Sequence, residues 1–126
     1  MKHLTPAEII ALHDALISRY GGLAGMSARD RVEALINRVI NRELYEGETN
    51  VYELAALYLY AIARGHVFND ANKRTAFTAS VLFLRRNGIN LPHRDEFEEM
   101  TVQAATGELL PGNIAIIFRE VVAGRR

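Results

Sequence analysis

The run VYELAALYLYAIA, residues 51 to 63, constrains the fold more than any other part of this chain. Its one charge is Glu53. Leu54, Leu57, Tyr58, Ala61 and Ile62 recur at helical spacing, and the remaining faces are apolar as well. A helix that is apolar all round must be covered all round, so this segment predicts the central helix of a bundle. It is shorter than the about 18 residues of a membrane span, which makes it core rather than membrane. Asn50 with Glu53 marks its start, and Gly65 supplies a glycine stop.

The flanking sequence supplies helices to cover it. Thr5, Pro6 and Glu8 form a start signal with a capping box, followed by Ile9, Leu12, His13, Leu16 and Ile17 at helical spacing. The stretch YGGLAG breaks the chain. Ser27 with Asp30 opens a second helix carrying Val32, Leu35, Ile36 and Val39, and YEGETN ends it. A fourth helix runs from about Asp70 to Asn87, stopped by Gly88. Asp95 with Glu98 opens a fifth that ends near Gly107, and residues 111 to 122 form a sixth. The only stretch compatible with a short hairpin is RELYEGETNVY. There is no repeat and no linker, so the expectation is one compact all-α domain over residues 1–126, a bundle of about six helices.

Composition narrows the function classes. The formal net charge is zero, so no global field draws the protein to nucleic acid or anionic lipid. There is no cysteine, hence no disulfide and no thiolate metal site. The first residues lack the apolar core of a signal peptide. These features predict a soluble cytoplasmic protein with neither nucleic-acid nor membrane partners.

One stretch interrupts the core pattern with chemistry. Residues 65 to 74, GHVFNDANKR, join the central helix to the next. A new helix start near Asp70 offers N–H groups from Ala71 to Arg74 and a partial positive charge, which suit a phosphate. Lys73 and Arg74 add two cations in the first turn, where the helix dipole disfavours them, and a bound anion would resolve the conflict. Asp70 could cap the helix or hold a magnesium ion that bridges phosphates. His66 is the natural general base, because histidine exchanges protons near neutral pH. Arg64, just before the loop, could reach a phosphate or satisfy helix-end carbonyls. Together these parts suggest phosphoryl or nucleotidyl transfer. Each also has a structural reading: Asp70 as a cap, Phe68 as a core anchor, His66 as a hydrogen-bonded loop residue, and Lys73 and Arg74 as a solvated face. The residues alone leave both readings open.

Elsewhere the expectations are structural. Arg85 and Arg86 read as the solvated end of a helix, His13 and His93 as structural or exposed, and Tyr52, Tyr58 and Tyr60 as core.

HVFNDANKR resembles the signature of the Fic/Doc family, His-x-Phe-x-Asp/Glu-Gly/Ala-Asn-Gly/Lys-Arg. His66, Phe68, Asp70, Asn72 and Arg74 all match. RYGGLAGMSARDRVEALINR and ATGE, residues 105 to 108, are similar to the Doc-type branch, the toxins of Phd–Doc toxin–antitoxin modules. The resemblance implies an all-α fold with the motif loop between two core helices. It implies that His66 takes a proton from a target threonine and that Asp70 binds magnesium or orients that hydroxyl. Asn72, Lys73 and Arg74 would grip phosphates, the N–H groups of Ala71 to Lys73 would form an anion cradle, and Phe68 would anchor the loop.

Departures from the wider family select the activity. Most Fic proteins have glycine at the positions of Ala71 and Lys73, and a second arginine at that of Phe77. That arginine helps hold a nucleotide for AMP transfer. The Doc branch shares the Ala-Asn-Lys-Arg form, and it implies a kinase. Such a kinase passes the γ-phosphate of ATP to a threonine of elongation factor Tu and arrests translation. AMP transfer to a protein hydroxyl and a silent Fic-like binding module are the alternatives. Glu46, Gly47 and Glu48 lie where Fic-type proteins carry a substrate-docking flap, or form an ordinary polar turn. The family's inhibitory motif, Ser/Thr-x-x-x-Glu-Gly/Asn, is absent: Arg42 stands four residues before Glu46-Gly47. Restraint is therefore expected from an antitoxin whose flexible tail folds on binding. Leu12, Leu16, Leu35 and Val39 could line its groove, or could be core.

Overall fold

The central apolar segment becomes a helix surrounded by others. In the computed structural model, which describes residues 1–26 and 29–126, it is α3 (Val51–Gly65). The others are α1 (Pro6–Tyr20), α2 (Arg29–Leu44), α4 (Asn72–Arg86), α5 (Glu96–Thr106) and α6 (Pro111–Val122). α3 packs against α2, α4, α5 and α6, while α1 closes over α2 and α4. Leu54, Tyr58, Leu59 and Ile62 are fully buried, as a helix apolar on every face requires. The fold is all-α. No strand occurs among the described residues, and Arg42 to Leu44 continue α2, so the candidate hairpin does not form. No helix among them is long and apolar enough to cross a membrane.

Local signals explain most helix ends. Thr5 Oγ1 accepts the Glu8 N–H at 3.1 Å and Glu8 returns a carboxylate oxygen to the Thr5 N–H at 3.0 Å, a full capping box. Asn50 Oδ1 accepts the N–H groups of Tyr52 and Glu53 at 2.8 and 3.1 Å. The expected cap Ser27 lies outside the described residues.

Several expectations need correction. Arg86 is not merely solvated: its guanidinium pairs with both Glu8 oxygens and donates to the His3 carbonyl, tying the end of α4 to the start of α1. Asp95 precedes α5 without capping it. Gly65 is not the left-handed stop of α3, because that conformation falls on His66. Gly65 is needed for close approach instead, since a Cβ there would lie 3.0 Å from Leu35 Cδ1. Val39 is core and lines no groove, whereas the mostly buried Leu35 shows an edge in a cleft between α2 and α3. Tyr58 is core as expected, whereas Tyr52 and Tyr60 are half-buried.

Candidate active site

The loop between α3 and α4 is held open by a lattice of specific bonds. It contains the only two non-glycine residues with positive φ among those described, His66 (φ 47) and Ala71 (φ 61). A left-handed side-chain residue costs about 1–2 kcal/mol, so tertiary contacts must impose this path. Asn72 clamps the loop from inside: Oδ1 accepts the Phe68 N–H at 3.1 Å and Nδ2 donates to the Phe68 carbonyl at 2.9 Å. Phe68 is buried and stacks flat on His13, ring centroids 3.9 Å apart. His13 Nε2 in turn meets the Asp70 carbonyl at 2.9 Å, so this nitrogen carries the proton.

The glycine-rich stretch after α1 braces the same loop. The Asn69 N–H donates to the Gly25 carbonyl at 3.0 Å, and Asn69 Nδ2 donates to the Ala24 carbonyl at 3.1 Å. The Leu23 N–H donates to Asp70 Oδ2 at 3.1 Å. Gly22 permits that approach: its φ is +119, and a Cβ there would lie 2.7 Å from Asp70 Oδ2. YGGLAG is therefore a support for the motif as well as a helix break.

Asp70 does not cap α4 in the usual way. Its Oδ1 accepts the adjacent Ala71 N–H at 2.8 Å, and Ala71 itself is the N-cap residue, with no side-chain cap bond. The first helical bond runs from the Thr75 N–H to the Ala71 carbonyl. The N–H groups of Asn72, Lys73 and Arg74 have no partner among the described residues. The free donors are thus shifted one residue along from the expected Ala71-to-Lys73 cradle. The Ala71 N–H, and next the Leu23 N–H, hold the Asp70 carboxyl below the usual range, helped by the Arg74 charge. At neutral pH it is a firm carboxylate.

These groups open on a cleft of about 860 Å³. Asp70, Ala71, Asn72, Lys73 and Arg74 line one side. Tyr20 lies beside them, its ring 4.8 Å from the Arg74 guanidinium carbon. Phe77, one turn further along α4, and His93, Arg94 and the first turns of α5 complete the lining. Phe77 packs on Phe97, centroids 5.3 Å apart, and the two rings form an apolar patch beside Arg94, Asp95 and Glu98. His66 is exposed on the same loop but is not among the lining residues. Arg64 is elsewhere: it lies over Tyr60 and against Gly107, lining a second cleft.

Residues 3–84 match the model of the Fic/DOC family. The chain belongs to the Fic/DOC family. Over 121 residues it is 54% identical to the protein kinase doc of Escherichia phage P1, with 96% of each chain covered.

Membership places the matched residues in a new light. Asn72 is a signature position, yet its side chain is fully engaged with the Phe68 backbone, so only its N–H faces the free end of α4. His13, Gly22, Leu23 and the α5 wall were not singled out as site residues. His13 did leave one signal, a polar ring within the apolar stripe of α1. No sequence signal brings Leu23 to Asp70, which lie 47 positions apart.

Proposed function

We propose that this chain is the toxin of a toxin–antitoxin module and acts as a protein-threonine kinase. It transfers the γ-phosphate of ATP to a threonine of elongation factor Tu and so arrests translation. The observation that carries this reading is the open start of α4. Three unpaired N–H groups, two cations and one firm carboxylate meet at a cleft wide enough for a nucleotide.

Each residue then has a task. The N–H groups of Asn72 to Arg74, with the Lys73 and Arg74 side chains, hold phosphate oxygens. His66 accepts the proton of the target hydroxyl as that oxygen attacks the γ-phosphorus. Asp70 is a poor base because two N–H donors stabilise its charge, which suits it to orienting the hydroxyl or ligating a cation. No cluster of three or more acidic or histidine side chains suited to a metal exists among the described residues. Asp70 alone fits magnesium, an ion that binds through one or two carboxylates plus substrate phosphates. When bound, that ion neutralises charge on the transferring group. Arg64, held at the second cleft, is assigned no phosphate contact.

AMP transfer is the second reading. The apolar patch formed by Phe77 and Phe97 weighs against it, because the arginine of AMP-transferring relatives would stand there. Restraint by an antitoxin with a folding tail completes the proposal, supported by the lack of an internal Ser/Thr-x-x-x-Glu-Gly/Asn motif. The test is transfer of label from ATP carrying it at the α or the γ phosphate, with elongation factor Tu as acceptor. Label from γ supports the kinase, label from α means AMP transfer, and no label leaves a binding module. Expression should arrest bacterial growth, and His66→Ala should relieve the arrest.

A further inference from the structure

The second cleft, about 330 Å³, runs between α2 and α3. Its floor is apolar, formed by Leu35, Ala61 and Val67, and its rim carries Arg31, Arg38 and Arg64. No carboxylate lines it. Arg31 and Arg38 stand seven residues apart on α2, so they face the same way two turns apart. Four surface arginines are paired elsewhere: Arg29 with Glu33, Arg42 with Glu46, Arg86 with Glu8, and Arg126 with Glu96 and Glu120. Arg38 and Arg64 make no ion pair among the described residues. What sets this groove apart is the combination of an apolar floor, three arginines and no carboxylate in its lining.

The groove is coupled to the motif loop. Gly65 and Val67, which line it, flank His66 in the chain. The Arg31 Nη2 donates to the Gly65 carbonyl at 3.0 Å, fixing α2 against the last residue before His66. A segment lying in this groove is therefore held beside the proposed general base, while the larger cleft, lined by none of the same residues, remains free.

We infer that this groove seats an acidic segment of the protein substrate, with its carboxylates on the arginine rim and an apolar side chain on the floor. The inference rests on the kinase reading of the larger cleft. An acidic peptide suits the groove better than nucleic acid. The net charge of zero supplies no long-range attraction for a polyanion, and Tyr60 is the one aromatic ring in the lining. Arg38 sets specificity through charge complementarity.

The test uses the full chain, a fluorescein-labelled oligoglutamate peptide and Arg38→Glu. Arg38 is exposed, so the variant should keep its thermal unfolding midpoint, with Arg38→Lys as the charge-conserving control. The peptide should bind the unmodified protein and Arg38→Lys. It should bind Arg38→Glu about tenfold more weakly or worse, the loss expected when a rim cation becomes a like charge. With elongation factor Tu as acceptor, Arg38→Glu should raise KM for the protein by a similar factor while leaving kcat and ATP binding unchanged. No peptide binding, equal binding to Arg38→Glu, or γ transfer with an unaltered KM overturns the inference and leaves the kinase reading intact. A single-stranded RNA that displaces the peptide and binds more tightly overturns the choice of ligand. If no γ label moves but peptide binding depends on Arg38, the kinase reading falls and the acid-binding groove stands.

Discussion

Two helix starts in this protein differ in how their backbone donors are satisfied. At α3, Asn50 takes up the N–H groups of Tyr52 and Glu53, and Glu53 adds a negative charge where the dipole favours one. At α4, the cap residue is a left-handed alanine, no side chain caps, and the first turn holds Lys73 and Arg74 with no acid. The first arrangement stabilises the free protein. The second leaves three donors without partners beside two cations, as the proposed phosphate site requires. The same local chemistry thus serves stability at one end of the central helix and, on the proposed function, binding just beyond the other.

The largest break in this comparison is functional. His66→Ala should lower γ transfer by about 10²–10⁴-fold, read by label incorporation, while circular dichroism stays unchanged because His66 is exposed. Near-normal transfer in the purified variant would remove the general-base role. Asn50→Ala should do the reverse, lowering stability by about 1 kcal/mol with transfer retained.

Lys73→Ala should weaken ATP binding by about tenfold, in line with loss of a charged hydrogen-bond partner. Calorimetric titration reads this. Its thermal midpoint should hold or rise slightly, since a cation leaves the positive end of the dipole. A collapsed fold would mean that the charge is structural after all.

Asn72→Ala sharpens the contrast between a cap and a clamp. It removes both bonds to the Phe68 backbone and should cost about 1–3 kcal/mol in denaturant unfolding. Activity should fall as well, because the loop loses its inner brace. A neutral effect on both would show that His13 and the glycine-rich stretch suffice.

The closed start of α1 predicts a pH dependence. Arg86, and next the Thr5 N–H, lower the Glu8 pKa from 4.5 to about 2. A folded value below the unfolded one means that Glu8 contributes stability above pH 4.5 and loses it as pH falls toward 2. Glu8→Gln should flatten the acid limb of stability in that window. The effect should be smaller than the shift suggests, because the pair's side chains are 36% and 31% exposed. Asp70 adds a slope of the same sign below pH 3.8.

Ala71→Gly should have the smallest effect. Glycine relieves about 1 kcal/mol of left-handed strain but gains freedom in the unfolded chain, so stability should move by a few tenths of a kcal/mol. Chemical denaturation with both proteins side by side would read the difference. A large loss would show that the alanine methyl is packed.

Much of the fold was legible because its causes are local. The capping box of Thr5 and Glu8, the Asn50 cap and the apolar faces of α3 act within one or two turns, and all six expected helices form. Ends were less legible where two roles compete. Gly65 looked like a stop, but packing against Leu35 claimed it and moved the left-handed residue to His66. The free N–H groups at the start of α4 lie one residue along from the expected Ala71-to-Lys73 set, because Asp70 turns back on the Ala71 N–H instead of capping the helix.

By itself, the sequence determined the bundle, the burial of α3, and the clustering of His66, Asp70, Lys73 and Arg74 between α3 and the first turn of α4. Only the tertiary structure decided which of these share a cleft. It drew Leu23 to the Asp70 carboxylate across 47 positions and His13 to the Asp70 carbonyl across 57, and it carried Arg64 away to a different groove. Helix starts and faces depend on neighbours a few residues apart, which periodicity reveals. A loop held in left-handed conformations by partners dozens of residues distant has no period, and its geometry exists only once the helices have packed.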